Sequence, residues 1–177
     1  YPHGVDLGPL QSGAANRLST ASGKIVMAPD IIIGDMERLQ KAAEAKDEGL
    51  LLIGRRHVRS NNSWMHNFHR LVKGKPRWQL LMHPSDLSEL GLADDSEVVI
   101  ESRVGKVQTR VLASDEVMPG VVSLPHGWGH KRPGIKMAIA SAQDGVSCND
   151  ITDQKLIDDV SGNAALNGVP VKVYAAA

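Results

Sequence analysis

Apolar periodicity divides the chain into a poorly patterned first part and a longer region of short, strongly apolar runs. Residues 1–24 are rich in Gly, Pro, Ala, Ser and Asn without a sustained period, and read as an extended arm. Lys24–Ala28 fits a short strand stopped by Pro29. Met36, Leu39, Ala42 and Ala43 then recur at helical spacing, which predicts a short helix from Asp35 to near Gly49. Leu50–Ile53 has the length and composition of a buried strand and breaks at Gly54. Ser63 is placed to cap a helix carrying Trp64, Phe68 and Leu71 on one side, with Gly74 as its stop.

Beyond Gly74 the period shortens. Gln79–Met82 is a short strand candidate, and Pro84 suits the first turn of a helix running through Asp86–Leu90 to Gly91. Val98–Ser102 and Val107–Ala113 alternate with period two around a turn at Gly105, which predicts a hairpin. Val121–Leu124 is a further strand ended by Pro125, and Val169–Tyr174 is the last one. Residues 127–145 read as a Gly-rich loop and 149–160 as partly helical. The expected fold is mainly β: a small barrel with short helices between strands. Two segments follow, an N-terminal arm with a short helix over residues 1–48 and the barrel over 49–177.

Charge sharpens this picture locally, not globally. The 177 residues carry no net charge, so no overall field recruits nucleic acid or a membrane surface. Between Gly49 and Ser85, however, there is no Asp or Glu, while Arg55, Arg56, Arg59, Arg70, Lys73, Lys75 and Arg77 all fall there. That asymmetry points to a local anion site. A single cysteine, Cys148, excludes an internal disulfide framework and suits a reducing compartment. No apolar run approaches the roughly 18 residues that a transmembrane helix needs. The chain opens on Tyr without a signal-peptide pattern, as expected of a piece of a longer polypeptide.

The densest chemistry follows the first strand. After Gly54 come Arg55, Arg56, His57, Arg59, Ser60, Asn61, Asn62 and Ser63, nearly all hydrogen-bond donors and three of them fixed cations. A strand that ends at Gly and delivers a fan of donors is one way sheet proteins hold an anionic ligand. A solvated basic loop is the competing reading of the composition.

Several blocks occur in order: IGRRHVRSNNSWMHN from Ile53, HPSDLSELGLADDSEVVIES from His83, VMPGVVSLPHGWGH from Val117, and NDITDQKLIDDVSGNAALNGVPVKV from Asn149. Together they closely resemble the molybdopterin-dinucleotide-binding domain at the C-terminus of large molybdenum or tungsten oxidoreductases. That family includes formate dehydrogenases, periplasmic nitrate reductases and dimethyl sulfoxide reductase. The arm joins the match, because PHGVDLGPL resembles the segment preceding this domain. The resemblance implies a six-stranded double-psi β-barrel with helical insertions. It also implies a domain that closes over two molybdopterin guanine dinucleotides chelating Mo or W in the full enzyme, with none expected on the isolated domain. The family's metal and iron–sulfur ligands lie in earlier domains. The expected partners are therefore the remaining domains of the parent oxidoreductase, with no nucleic acid and no membrane contact. The expected compartment is the cytoplasm, or the periplasm if the parent carries a signal.

The resemblance places cofactor contacts at Gly54, Arg55, His57 and Ser60, and extends the candidates to Arg56, Arg59, Asn61 and Asn62. Arginines suit a pyrophosphate, and the neutral amide and imidazole groups suit pterin edges. His126, Gly127 and Trp128, followed by Gly129 and His130, form a second candidate block, because glycines let the main chain approach a flat ligand. A structural loop is its alternative. Asn149-Asp150-Ile151-Thr152 resembles the family's Asn-x-Leu-Thr motif with Ile for Leu, making Asn149 and Thr152 candidates beside an ordinary helix-cap reading. Asn167 falls where some members have a cofactor-binding Lys, and equally fits a plain Asn-Gly turn. Cys148 reads as a small buried thiol, and Trp64, Phe68, Leu87, Leu90 and Leu92 as core.

No catalytic residue and no metal ligand is expected within the chain itself. His66 with His69, and His126 with His130, have helical ligand spacing, but no carboxylate or thiol completes a zinc set. Other readings are a stand-alone small subunit like those of tungsten formylmethanofuran dehydrogenases, a double-psi adaptor of the kind carried by ATPases, and a single-strand nucleic-acid binder using Trp64, Phe68 and Trp78. A self-processing decarboxylase of related fold is excluded, because it requires a Gly-Ser bond and the sequence has none.

Overall fold

The computed structural model describes residues 1–44 and 49–176. Contacts group the chain into two units, residues 1–45 and 46–177. The first carries a 3-10 turn at Ala14–Arg17 and two consecutive helices, α1 (Asp30–Gly34) and α2 (Met36–Glu44). The strand expected at Lys24–Ala28 does not form; these residues are bends and coil just ahead of Pro29. Helix begins at Asp30, earlier than the apolar spacing from Asp35 indicates, because Pro29 at the N-cap presets the backbone for a first turn. The predicted run from residue 45 to 48 lies outside the described residues.

The second unit is a closed six-stranded barrel. Its strands are β1 (Leu50–Arg55), β2 (Leu80–Met82), β3 (Glu97–Glu101), β4 (Lys106–Ala113), β5 (Val121–Pro125) and β6 (Val169–Ala175), in the order β1-β5-β2-β4-β3-β6. β5 runs parallel to β1 and antiparallel to β2, so it lies between two antiparallel consecutive strands. β2 lies likewise between β4 and β5, parallel to the first and antiparallel to the second. Two such interlocked ψ arrangements make a double-psi barrel.

Alternation fixes which faces turn inward. Val107, Thr109 and Val111 of β4, Val98 and Ile100 of β3, and Val169, Val171 and Val173 of β6 are buried at every second position. They pack with Leu52, Leu80, Met82, Val122 and Leu124 into one core, together with Cys148 and Ile151 from a loop. Two further short helices, α3 (His69–Val72) and α4 (Pro84–Glu89), flank β2 in sequence. α4 follows β2 directly, with the expected Pro at its start and Leu87 buried. The buried Asp86 carboxylate accepts the Gly120 backbone N–H at 2.8 Å, tying α4 to the entrance of β5.

Three expectations are corrected. The helix from Ser63 does not form: residues 58–67 are a succession of turns, and only α3 is helical. Trp64 and Phe68 are 79% and 57% exposed, not core, because positive φ at Asn61 and Asn62 breaks the register that would have turned them inward. Leu90, at the C-cap of α4, is also exposed, whereas Leu92 packs partly against the core. The partly helical run expected over 149–160 shrinks to one 3-10 turn, Cys148–Asp150.

Candidate functional site

Parallel pairing of β1 and β5 brings their C-terminal ends to one level, with Gly54 opposite Leu124 and Arg55 opposite Pro125. The ladder continues one step further, since the His126 N–H donates to the Arg55 carbonyl at 3.0 Å. The donor-rich segment after β1 and the His-Gly-Trp-Gly-His segment after β5 therefore leave the barrel side by side.

Glycine decides how tightly they pack. A Cβ on Gly127, which has φ of 85°, would fall onto the Asn62 carbonyl. A Cβ on Gly54 would fall onto the His126 imidazole. The Gly54 N–H donates to Asn167 Oδ1 at 2.7 Å, bringing in the turn before β6. His126 Nδ1 lies 3.3 Å from Cys148 Sγ, which brings in the turn carrying Asn149. Cys148 and Ile151 are both sunk in the barrel core and hold that turn from either side. The four candidate stretches, scattered over more than a hundred residues of sequence, thus meet at one end of the barrel.

Within this end the candidates differ. Arg55 is half-buried and points its guanidinium along the barrel, donating to the Ser123 carbonyl at 2.9 Å and the Gln79 carbonyl at 2.8 Å. Burial lowers its pKa, partly offset by Glu116. Arg56 is exposed and donates to Asn62 Oδ1. Arg59 donates to the Arg70 carbonyl at 2.6 Å, while its backbone N–H donates to His57 Nδ1 at 3.1 Å. Ser60 is buried, and its main chain donates to the His57 carbonyl. Arg56, His57, Val58, Asn61 and Asn62 line a cavity of about 470 Å³. A larger cleft of about 720 Å³ lies at the opposite end of β1, between Leu50, Leu90 and Tyr174, and none of the candidates lines it.

Asn149 is exposed and its side chain caps nothing; the turn it occupies has no side-chain cap. The Thr152 hydroxyl donates to the Asn149 carbonyl at 3.2 Å, a fastening of the turn itself. Asn167 is more than an Asn-Gly turn residue, given its bond to Gly54.

Trp128 is buried and stacks on His66, with centroids 3.8 Å apart and planes inclined by 22°. His66 Nδ1 and His130 Nε2 are 2.8 Å apart, so the two rings share a hydrogen bond beneath the loop. Burial, and then the neighbouring His130, pushes the His66 pKa down to about 4; its Nε2 is buried without a partner. The helical His spacings therefore resolve into this pair across two loops. Among the described residues no three His, Cys, Asp or Glu side chains are placed to hold a metal ion. Burial also raises the Cys148 thiol and lowers His126, so both stand neutral.

Sequence patterning does not single out His66, Gln79, Ser123 or Arg77. The acid-free run from Gly49 to Ser85 contains three of them, but nothing in spacing alone joins His66 to His130 or Arg77 to Arg59.

Fold and site together define a ligand-binding double-psi barrel whose donors gather at one rim. Residues 50–170 match the Molydopterin dinucleotide binding domain, and the chain belongs to that family. It is 28% identical over 121 residues to the A chain of tetrathionate reductase from Salmonella typhimurium, a match covering 59% of this chain and 12% of that one. Its fold is similar to that of acetylene hydratase from Pelobacter acetylenicus, with a TM-score of 0.62 and 21% identity over 81% of this chain and 20% of the hydratase. The chain thus spans a small part of each. The donor set fits the family's ligand: cations beside neutral Asn amides around one open cavity, with a thiol too buried to ligate. Among the described residues no helix is long and apolar enough to cross a membrane.

Proposed function

We propose that this chain is the C-terminal cofactor-binding domain of a molybdenum or tungsten oxidoreductase. On this reading residues 49–177 hold molybdopterin guanine dinucleotide over an active site built mainly by other domains, and residues 1–48 form the arm leading into the barrel. The observation that carries it is the convergence of residues 54–62, His126–Trp128, Asn149 and Asn167 at one barrel end. The metal–dithiolene centre supplies the two-electron chemistry when bound. The protein's part is to bind and orient: Arg56 and Arg59 offer charge-assisted donors to phosphate, while Asn61, Asn62, Asn149 and Asn167 offer amides to flat polar edges. Arg55 serves the site through the carbonyls of β5 and of Gln79, and Trp128 underlies the loop as packing.

Other domains of the parent enzyme complete the pocket, the bis form of the cofactor accompanies them, and the single unpaired thiol suits the cytoplasm. Amide chemical-shift mapping with GDP and a pterin analogue tests the assignment. Shifts confined to residues 54–63, 126–130, 149–152 and 167 are expected; shifts centred on the cleft at Leu50 and Tyr174 would sink it.

A further inference from the structure

The cations of the acid-free stretch are treated differently from those elsewhere in the barrel. Arg103, Arg110, Lys131 and Arg132 each pair with an aspartate, at Asp153, Asp95, Asp144 and Asp150. Among the described residues Arg55, Arg59 and Arg77 have no carboxylate partner; their guanidinium groups are held by backbone carbonyls. Arg59 Nη2 donates to the Arg70 carbonyl and Arg77 Nη2 to the Leu71 carbonyl, each at 2.6 Å. Those two carbonyls are consecutive in α3, so two guanidinium groups from opposite ends of the β1–β2 connection are pinned next to each other. Arg77 is fixed further by longer contacts to the Lys73 and Lys75 carbonyls, each at 3.4 Å. A carbonyl orients a guanidinium without cancelling its charge, and it leaves most of the five N–H donors free.

His57 belongs to the same cluster. Its Nδ1 accepts the Arg59 backbone N–H at 3.1 Å, so the neutral ring carries its proton on Nε2. The free ring nitrogen is therefore a donor as well. Three donor groups with no carboxylate near them fit a compact anion with several acceptor oxygens.

We propose that Arg77 joins Arg59 and His57 in one phosphate-binding subsite at the rim of the barrel, taking a phosphate group of the dinucleotide. This rests on the cofactor reading above and adds a residue from outside the loops that carry that reading. It also has a protonic consequence. Burial first, and then the charges of Arg77, Arg59 and Arg55, hold the His57 pKa below its ordinary value. A bound phosphate offsets those charges, so it raises the His57 pKa and binding takes up a fraction of a proton near neutral pH.

The test uses the full chain at fixed ionic strength, with inorganic pyrophosphate and GDP as probes in titration calorimetry and His57 followed by imidazole NMR. Arg77→Gln should weaken both probes about tenfold, as expected for loss of one charge-assisted contact, and the pyrophosphate-induced rise of the His57 pKa should shrink. Arg132→Gln, which removes a paired cation, should leave both probes unchanged. Arg77→Lys should restore part of the affinity, and an unaltered amide spectrum away from α3 shows that either variant is folded. Equal GDP affinity for wild type and Arg77→Gln, with shifts still at Gly54, His126 and Asn149, would overturn the subsite and leave the cofactor reading standing. Pyrophosphate binding that depends on Arg77 without any GDP shifts at Gly54, His126 or Asn149 would keep an anion site and overturn its assignment to the dinucleotide. Failure of wild type to bind pyrophosphate at millimolar concentration would overturn the proposal outright.

Discussion

The backbone N–H of Gly54 donates to Asn167 Oδ1 at 2.7 Å, across 113 residues of sequence. This bond joins the end of β1 to the turn that precedes β6, and the same glycine leaves just enough room for the His126 ring. A methyl group at this position meets the imidazole, which cannot swing aside without leaving Cys148 Sγ. Gly54→Ala should therefore cost about 1–3 kcal/mol, the usual range for overpacking, and move the His126 ring resonances. An unchanged urea midpoint with unmoved His126 signals would show that the loop relaxes freely.

Asn149 separates two roles cleanly, because its side chain supports no backbone of its own turn. Asn149→Ala should change stability by less than about 0.5 kcal/mol, the usual range for an exposed polar site, while weakening a pterin analogue several-fold. A large fall in melting temperature with pterin binding intact would instead mark Asn149 as structural.

The His66–His130 pair makes stability depend on pH. Folded His66 stays neutral down to about pH 4, whereas an unfolded histidine takes up its proton near the ordinary 6.5. Between these values the unfolded chain binds the extra proton, so stability falls as pH drops from 6.5 toward 4 and this contribution levels off below. The shift bounds the loss at roughly 3 kcal/mol. Urea titrations at half-unit pH steps should show the slope in wild type and a flatter one in His66→Phe, which keeps a ring against Trp128. Parallel curves for the two proteins would count against the assignment.

The Asp153 carboxylate, buried and bonded by Arg103, is held down at about 2, first by that hydrogen bond and then by the Lys155 backbone N–H. A depressed carboxylate contributes stability above its unfolded pKa, and the contribution disappears as pH falls through the folded value. Arg103→Gln should raise the Asp153 pKa, read by carboxyl carbon NMR, and shift acid unfolding to higher pH. No movement of that resonance would assign the depression to the backbone alone.

What the sequence made legible follows from the range of the forces involved. Strands β3, β4 and β6 were readable because alternation is local and each buries one face. The family blocks named the loops that meet at the rim. The turns at residues 58–67 were not readable as such: Trp64 and Phe68 have helical spacing, and only the left-handed backbone at Asn61 and Asn62 cancels it. Arg55 was readable as a cation but not as one aimed at the Ser123 and Gln79 carbonyls, since those partners come from strands brought alongside by the crossover. Arg77 was invisible for the same reason, because its neighbour Arg59 is defined by α3 and not by spacing.

The position of β1 between β5 and β6 also sets a schedule for synthesis. The first strand waits about 70 residues for its parallel neighbour and well over 100 for its antiparallel one. Pairings this distant close late. A nascent chain that has just released Pro125 has two of the four rim stretches but neither the turn at Asn149 nor Asn167, and its barrel is still open. The binding rim and the closed barrel are therefore completed by the same final event, the arrival of Val169–Ala175, and cofactor loading has to follow it.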